Sequence, residues 1–124
     1  MEKGSVELAR RDTLSKEIVM HAEVVDRVKD LMIEIQENLY GKAKKFRDQN
    51  ITEVNTIEEF KEVLKSKGGF ISAHWDGTSE TELKIKDKTK ATIRCIPLEG
   101  KKEKGKCVLT GNPSTQRVLF AKAY

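Results

Sequence analysis

Apolar side chains recur every three or four positions between residues 22 and 49, which is the spacing of one face of an α-helix. The members of this face are Val24, Val28, Leu31, Met32, Ile35, Leu39, Ala43 and Phe46. Acidic residues dominate the first half of the segment and basic residues its end, the order that complements the helix dipole. The pattern predicts one long amphipathic helix over residues 22–49.

A short strand is predicted before this helix, from Ser5 to Leu8, and a polar turn holding Arg10, Arg11 and Asp12 follows it. We find no further strand signal before residue 50. A strand needs partners, and even two strands alone are marginally stable in water. We therefore expect the neighbours of this strand upstream of Met1, as in a domain of which only the end is present.

The rest of the chain alternates strand and helix patterns. Strand patterns cover residues 51–55, 70–75, 91–96, 107–110 and 117–124. Thr56 with Glu59, and Ser79 with Glu82, have the spacing of helix capping boxes. The first of these helices ends at the pair Gly68 and Gly69, and the second near residue 90.

The order from residue 50 is strand, helix, strand, helix, strand, strand. Because the Gly111, Asn112 and Pro113 segment favours a turn, we predict that the last two strands form a hairpin. Two helices then cover one face of a mixed sheet. The predicted fold class is α+β, a two-layer sandwich preceded by the long amphipathic helix.

Length, composition and charge limit the classes of function that the chain can have. A chain of 124 residues holds one ordinary domain, or a small domain plus a piece of another, and not a complete multi-substrate enzyme. The aromatic share of 6% argues against a stacking platform for single-stranded RNA. Between Lys84 and Lys122 eleven basic residues face three acidic ones, which fits either contact with phosphates or a solvated, solubilising face.

Neither membrane insertion nor secretion is indicated, because no run of 18 apolar residues and no signal-peptide pattern occurs. The predicted compartment is the cytoplasm. Cys95 and Cys107 are too few for a disulfide framework, and we expect both to stay reduced. We expect Cys95 to fill the core as a small hydrophobe, and His21 and His74 to be structural.

The final segment, TKATIRCIPLEGKKEKGKCVLTGNPSTQRVLFAKAY, resembles the end of class II prolyl-tRNA synthetases of the kind shared by archaea, eukaryotes and some bacteria. The pieces TIRCIP, GKC and VLFAKAY carry the resemblance most clearly. It continues through GGFISAHWDGTSETE and NTIEEFKEVL and back to VELARRDT, so it spans essentially the whole chain.

The resemblance implies a domain order. In this family a catalytic domain comes first, an anticodon-binding domain follows, and a small α+β domain ends the chain. Residues 1–49 would be the remnant of the anticodon-binding domain, and residues 50–124 the C-terminal domain. No catalytic residue is then expected here, because ATP, magnesium and proline would bind in the catalytic domain.

The resemblance also bears on whether the chain binds a zinc ion. Many members bind zinc in the C-terminal domain through four cysteines, whose positions fall on Asp76, Thr81, Cys107 and Leu109. A structural zinc needs four N, S or O ligands, and Thr and Leu do not supply them. We predict that this chain has lost the zinc site and binds no metal.

Two further site predictions concern partners. Arg10 and Arg11 are candidate tRNA-binding residues, since arginine reaches phosphates or base edges bidentately; the alternative is that Arg11 pairs with Asp12 or Glu17. In the family the terminal tyrosine, here Tyr124, and its carboxylate point toward the catalytic domain; the alternative is simple hydrophobic anchoring.

These observations leave three candidate functions. The leading one is a C-terminal fragment of a proline–tRNA ligase, expected to be a homodimer whose partners are tRNA(Pro) and its own catalytic domain. In it the chain would support anticodon binding and brace the catalytic domain. The alternative is a stand-alone, non-enzymatic RNA-binding or protein-interaction module. A thiol enzyme using Cys107 has little support, because no His lies near it in sequence.

Overall fold

The computed structural model describes residues 4–100 and 102–123. The chain divides into two compact units, of which the first ends at Arg47 and the second begins at Asp48. The predicted assignment of residues 1–49 and 50–124 to two family domains stays a prediction. Tyr124, the predicted residue facing the catalytic domain, lies outside the described residues.

The first unit contains a two-stranded antiparallel ribbon, in which β1 (Ser5–Ala9) pairs with β2 (Lys16–Met20). The prediction that no second strand lies before residue 50 is therefore wrong. On β2 the outward-facing side chains Ile18 and Met20 are 76% and 52% exposed. The alternating positions, Glu17 and Val19, face inward. Apolar residues on both faces hide the alternation that marks a half-buried strand.

The long helix α1 (Val24–Gln49) confirms the predicted amphipathic helix. Of its predicted apolar face, Leu31 is buried, whereas Met32 and Phe46 are 67% and 70% exposed. A ribbon of five-residue strands is too short to cover a helix of 26 residues, which is about 39 Å long. Much of the apolar face therefore stays exposed.

The second unit is built on a four-stranded mixed sheet with the order β3-β4-β8-β5. The strands are β3 (Ile51–Glu53), β4 (Phe70–His74), β5 (Ala91–Cys95) and β8 (Arg117–Lys122). β3 runs parallel to β4, and β8 lies antiparallel between β4 and β5. The predicted α+β class with a mixed sheet is confirmed.

The predicted terminal hairpin is wrong. Residues 107–110 form no strand, and the last strand pairs with β4 and β5. A minimal ladder of β6 (Gly105–Lys106) and β7 (Pro113–Ser114) replaces the predicted hairpin partner. The Gly111 segment closes this ladder, and the backbone N–H of Gly111 donates to the Cys107 carbonyl at 2.9 Å.

Two helices complete the second unit. α2 (Ile57–Ser66) starts with the predicted capping box: Thr56 Oγ1 accepts from Glu59 N at 3.2 Å, and Glu59 Oε2 accepts from Thr56 N at 3.3 Å. α3 (Ser79–Thr89) starts one residue earlier than expected. Its N-cap is Thr78, not Ser79, because the Thr78 hydroxyl accepts from Thr81 N.

The core lies between the sheet and the two helices. Phe60 of α2 and Phe120 of β8 meet edge to face, with ring centroids 5.3 Å apart, and Ile85 of α3 is fully buried beside them. Ile71 is the cross-strand partner of Phe120, so these residues line one face of the sheet. The prediction for Cys95 is wrong: it is exposed, after a register shift between Ile93 and Cys95 on edge strand β5.

Candidate functional site

The first predicted site residue, Arg10, lies at the end of β1 and is held on three sides. Its Nε and Nη2 donate to the two carboxylate oxygens of Asp12 at 3.0 and 2.8 Å, and Nη1 donates to Glu34 of α1 at 2.6 Å. Asp12 also accepts from Asn38 Nδ2, and Lys42 Nζ donates to the Asp12 carbonyl at 2.8 Å. The turn between the strands is thereby tied to α1.

Ion pairs continue this network along the helix. Arg27 donates to Glu17 at 2.9 Å and to Glu34 at 2.6 Å. Hydrogen bonds from Arg10 and Asn38 hold the pKa of Asp12 well below its ordinary value, and the bond from Arg27 lowers the pKa of Glu34. These carboxylates therefore stay ionised at neutral pH and keep the guanidinium groups in place.

Arg11 differs from Arg10. It is exposed, and it has no hydrogen-bond or ion-pair partner in the described part of the chain. The acids considered as its alternative partners, Asp12 and Glu17, pair with Arg10 and Arg27. Of the two predicted tRNA-binding residues, Arg11 is therefore the one whose guanidinium is free to meet a phosphate.

Asp76, between β4 and α3, is the centre of a second cluster. Its Oδ1 accepts from Thr78 Oγ1 at 2.9 Å and from Thr78 N at 3.2 Å. Its Oδ2 accepts from Thr81 and Thr110 hydroxyls, each at 2.9 Å, and from Asn112 Nδ2 at 3.3 Å. One carboxylate therefore joins the start of α3 to the loop between β6 and β7.

The electrostatics of Asp76 follow from these donors. Partial burial raises the pKa of Asp76, but the hydrogen bonds from Thr81, Thr110 and Thr78 outweigh it and lower the pKa from 3.8 to about 2. At neutral pH the group is a fully charged acceptor. We call this set of residues, Asp76, Thr78, Thr81, Thr110 and Asn112, the Asp76 cluster.

The four positions on which the resemblance places the family's zinc cysteines, Asp76, Thr81, Cys107 and Leu109, do not offer a set of metal ligands. The Asp76 oxygens are already saturated by donors, Thr81 is one of those donors, and Leu109 has no ligand atom and packs against the core. Cys107 is buried at 3% exposure. In residues 4–100 and 102–123 no group of three or more His, Cys, Asp or Glu side chains could hold a metal ion. The carboxylate joins the two segments that a zinc ion would join.

His74 is buried on the sheet face away from the helices. Ser114 Oγ donates to the Gln116 carbonyl at 2.9 Å, so the 3.1 Å contact between this hydroxyl and His74 Nδ1 requires the imidazole to donate. Among the described residues His74 Nε2 has no hydrogen-bond partner. It lies 3.6 Å from Glu103 Oε1, and a Cβ on Gly105 would collide with it. The His74 ring is therefore packed closely against β6.

The Asp76 cluster was not predicted from the sequence. Arg10 was predicted as a tRNA contact, whereas the structure pairs it with Asp12 and Glu34. The available signal was the order Asp76, Thr78, Thr81, in which an Asp two residues before an N-cap Thr accepts from the cap. Thr110 and Asn112 lie more than 30 residues away in sequence, so no local pattern reveals that they share the same carboxylate. The buried Cys107 thiol is not accessible to a substrate, which removes support for a thiol enzyme.

Comparisons with known proteins agree on one family. The family described as "Prolyl-tRNA synthetase, C-terminal" matches residues 57–124. A proline–tRNA ligase of Christiangramia forsetii is 67% identical over all 124 residues, and one of Flavobacterium johnsoniae is 64% identical over the same length. The crystal structure of the Cryptosporidium parvum prolyl-tRNA synthetase complexed with L-proline and AMP matches 99% of the chain with a TM-score of 0.89 at 27% identity.

The sheet, its two covering helices and these matches define an α+β domain of an aminoacyl-tRNA synthetase. The chain belongs to the prolyl-tRNA synthetase family and contains its C-terminal domain. It spans about a quarter of the length of the curated relatives it matches, 25% in both, and 26% of the Cryptosporidium parvum chain. Within the described residues no helix is both long enough and apolar enough to span a bilayer.

Proposed function

We propose that the chain is the C-terminal part of a proline–tRNA ligase, which charges tRNA(Pro) with proline at the expense of ATP. The observation that carries this is the alignment of all 124 residues, at 67% identity, with a quarter of a protein named proline–tRNA ligase. Nothing in the described residues favours the alternative of a stand-alone RNA-binding or protein-interaction module.

In the proposed reaction the proline carboxylate attacks the α-phosphate of ATP, giving prolyl-adenylate and pyrophosphate. The terminal ribose hydroxyl of the tRNA then takes the prolyl group, and AMP leaves. ATP and magnesium would bind in the catalytic domain of the whole protein, and the present chain supplies no catalytic group. The whole protein would be a cytoplasmic homodimer of the archaeal and eukaryotic-like type.

The proposed contribution of the first unit is tRNA binding through Arg10 and Arg11. Arg11 is exposed and unneutralised, so it is the residue that would contact a phosphate or an anticodon base edge. Arg10 would act as a positioning residue, because its bonds to Asp12 and Glu34 fix the turn that presents Arg11. Both roles depend on a tRNA partner.

The proposed contribution of the second unit is mechanical support. Its core includes Val118 and Phe120 and so holds β8, the strand that precedes Tyr124 in the sequence. We propose that Tyr124 and its carboxylate extend toward the catalytic domain and brace it. Deletion of Tyr124 in the whole enzyme should lower the rate of aminoacylation without changing tRNA affinity.

The test uses the whole ligase. Proline-dependent exchange between ATP and pyrophosphate should be present, and tRNA(Pro) should be charged with proline; absence of the exchange reaction would overturn the proposed function. Arg11→Ala should raise the KM for tRNA about tenfold and leave the exchange reaction unchanged. Arg94→Ala, which removes an exposed arginine of the second unit, is the matched control.

A further inference from the structure

A groove of about 370 Å³ crosses the helical side of the second unit. Its lining residues are Lys61, Leu64 and Lys65 of α2, Lys88 and Thr89 of α3, and Lys122 of β8. Four of the six carry a positive charge and none is acidic. We call this feature the lysine groove.

The fold brings the four lysines together from three elements. Lys61 and Lys65 are four residues apart on α2 and so lie on the same side of that helix, about 6 Å from each other at Cβ. Lys88 is in the last turn of α3, and Lys122 is the register partner of Ala91, where the chain emerges from α3 into β5. The convergence therefore follows from the topology of the domain.

The floor of the lysine groove is fixed. Leu64 packs against the core, and Thr89 is buried with its hydroxyl donating to the Ile85 carbonyl at 2.7 Å and accepting from Ala91 N at 3.1 Å. These polar atoms are already satisfied. The remaining binding capacity of the groove is that of its ammonium groups.

Within the described residues none of the four ammonium groups has a hydrogen-bond or ion-pair partner, whereas Lys84 on the same helix as Lys88 pairs with Glu80. Complementation of the helix dipole explains a lysine in the last turn of each helix, Lys65 and Lys88. It does not explain Lys61, which precedes the last turn, or Lys122, which lies on a strand. Four unneutralised cations around one depression concentrate positive potential there and attract polyanions.

We propose that the lysine groove binds the phosphodiester backbone of RNA. The charges are spread over two helices and a strand, which suits successive phosphates along a strand better than one compact anion. Contacts to phosphates carry no sequence information, so the groove adds affinity and orientation and no selectivity. That the RNA is a tRNA rests on the proposed function; that the groove binds an RNA backbone does not.

The experiment measures fluorescence anisotropy of a labelled RNA hairpin with a 12-base-pair stem, titrated with the 124-residue chain between about 50 and 200 mM NaCl. Circular dichroism verifies the fold of every variant. The groove variant changes four lysines to glutamine: Lys61, Lys65, Lys88 and Lys122. A control of identical net charge changes four other exposed lysines of the same unit to glutamine: Lys86, Lys102, Lys104 and Lys106.

The groove variant should bind the hairpin at least about tenfold more weakly at 100 mM salt, and its plot of log affinity against log salt should be shallower by about 3, as expected for four lost phosphate contacts. The control should change both quantities much less. If the quadruple variant does not fold, the pairs Lys61→Gln with Lys65→Gln and Lys88→Gln with Lys122→Gln should each lose about half of that slope.

Equal losses in the groove variant and the control would overturn the proposal, because they would report a general basic surface. Unchanged RNA binding by the groove variant, together with a lower melting temperature of the whole ligase that carries it, would also overturn the proposal. That result would indicate that the lysines contact an acidic protein surface. Proline-dependent exchange between ATP and pyrophosphate involves no RNA. It therefore tests the proposed function separately from the lysine groove.

Discussion

Replacement of Asp76 by Asn should destabilise the second unit, because the carboxylate is the common acceptor of hydrogen bonds from two separate segments. The substitution keeps the shape of the side chain but removes its charge and turns one acceptor oxygen into an NH2 donor. Thr78 Oγ1 and Thr78 N both donate to one oxygen, and Thr81, Thr110 and Asn112 donate to the other. Either orientation of the amide leaves donors facing a donor.

The expected loss is about 1–2 kcal/mol. Hydrogen bonds to a charged group contribute roughly 1.5–3 kcal/mol and neutral ones roughly 0.5–1.5 kcal/mol, so loss of the charge weakens each remaining bond. Lowering of the Asp76 pKa from 3.8 to about 2 expresses the same hydrogen bonds as a free energy. It corresponds to about 2.5 kcal/mol, which partial solvent screening reduces to about 1–2 kcal/mol.

Urea unfolding followed by the fluorescence of Trp75 measures this loss locally. Trp75 is the only tryptophan of the chain, it precedes Asp76, and its Nε1 donates to the Thr78 carbonyl at 3.0 Å. Asp87→Asn is the matched control, since Asp87 is exposed on α3 and has no hydrogen-bond or ion-pair partner in the described segments. Asp87→Asn should change the free energy of unfolding by less than about 0.5 kcal/mol.

The pH dependence follows from the direction of the shift. Because the folded-state pKa of Asp76 lies below the unfolded-state value, its contribution is fully present above about pH 4 and is lost as the pH falls toward 2. The difference between wild type and Asp76→Asn should be constant from about pH 5 to 7 and about half as large at pH 3. The role of the Asp76 carboxylate would be refuted if Asp76→Asn cost no more stability than Asp87→Asn, or if the difference did not shrink in acid.

Three substitutions and one metal measurement test other parts of the account. Phe60→Ala should lower the free energy of unfolding in urea by about 3–5 kcal/mol, because Phe60 is fully buried in the core. Gly105→Ala should lower the midpoint of thermal unfolding, equivalent to about 1–3 kcal/mol, because the added Cβ collides with the buried His74 ring. Thr56→Ala should cost about 1 kcal/mol in the same urea assay through loss of the α2 capping box. Elemental analysis of the purified chain should find less than about 0.1 zinc per molecule.

Each of these four predictions can be contradicted by one experimental result. A Phe60→Ala variant within about 1 kcal/mol of wild type would mean that the core is not built around that ring. A Gly105→Ala variant of unchanged stability would show that β6 is free to move away from His74. An unchanged Thr56→Ala variant would remove the capping box from the stability of α2, and one bound zinc per chain would refute the predicted loss of the metal site.

Local signals predicted much of the fold. The 3.6-residue period of α1 and the spacing of Thr56 and Glu59 each depend on residues within one or two turns, so sequence reasoning placed them correctly. Strand β2 was not predicted because its outward positions are apolar, which hides the alternation of polar and apolar residues. The N-cap of α3 was misplaced by one residue, since Thr78 and Ser79 are both good caps and only the side-chain geometry distinguishes them.

Non-local pairing was the part that sequence could not supply. The predicted hairpin assumed that neighbouring strands in sequence pair with each other, which holds often but not here, because β8 inserts between β4 and β5. The same limit applies to the site. The family resemblance aligned two zinc-cysteine positions of the family with Asp76 and Thr81, yet the hydrogen bonds from Thr110 and Asn112 depend on a loop that only the folded chain brings close.

The central position of β8 also constrains when the second unit can fold during synthesis. In the part of the chain that the structure describes, β5 has no neighbour in the sheet other than β8, and β4 keeps only its short parallel contact with β3 until β8 is made. A nascent chain that has not yet released β8 therefore presents two open strand edges and an uncovered Phe60 to the cell. Such intermediates are substrates for chaperones and proteases, so premature termination anywhere before β8 should yield products that are degraded.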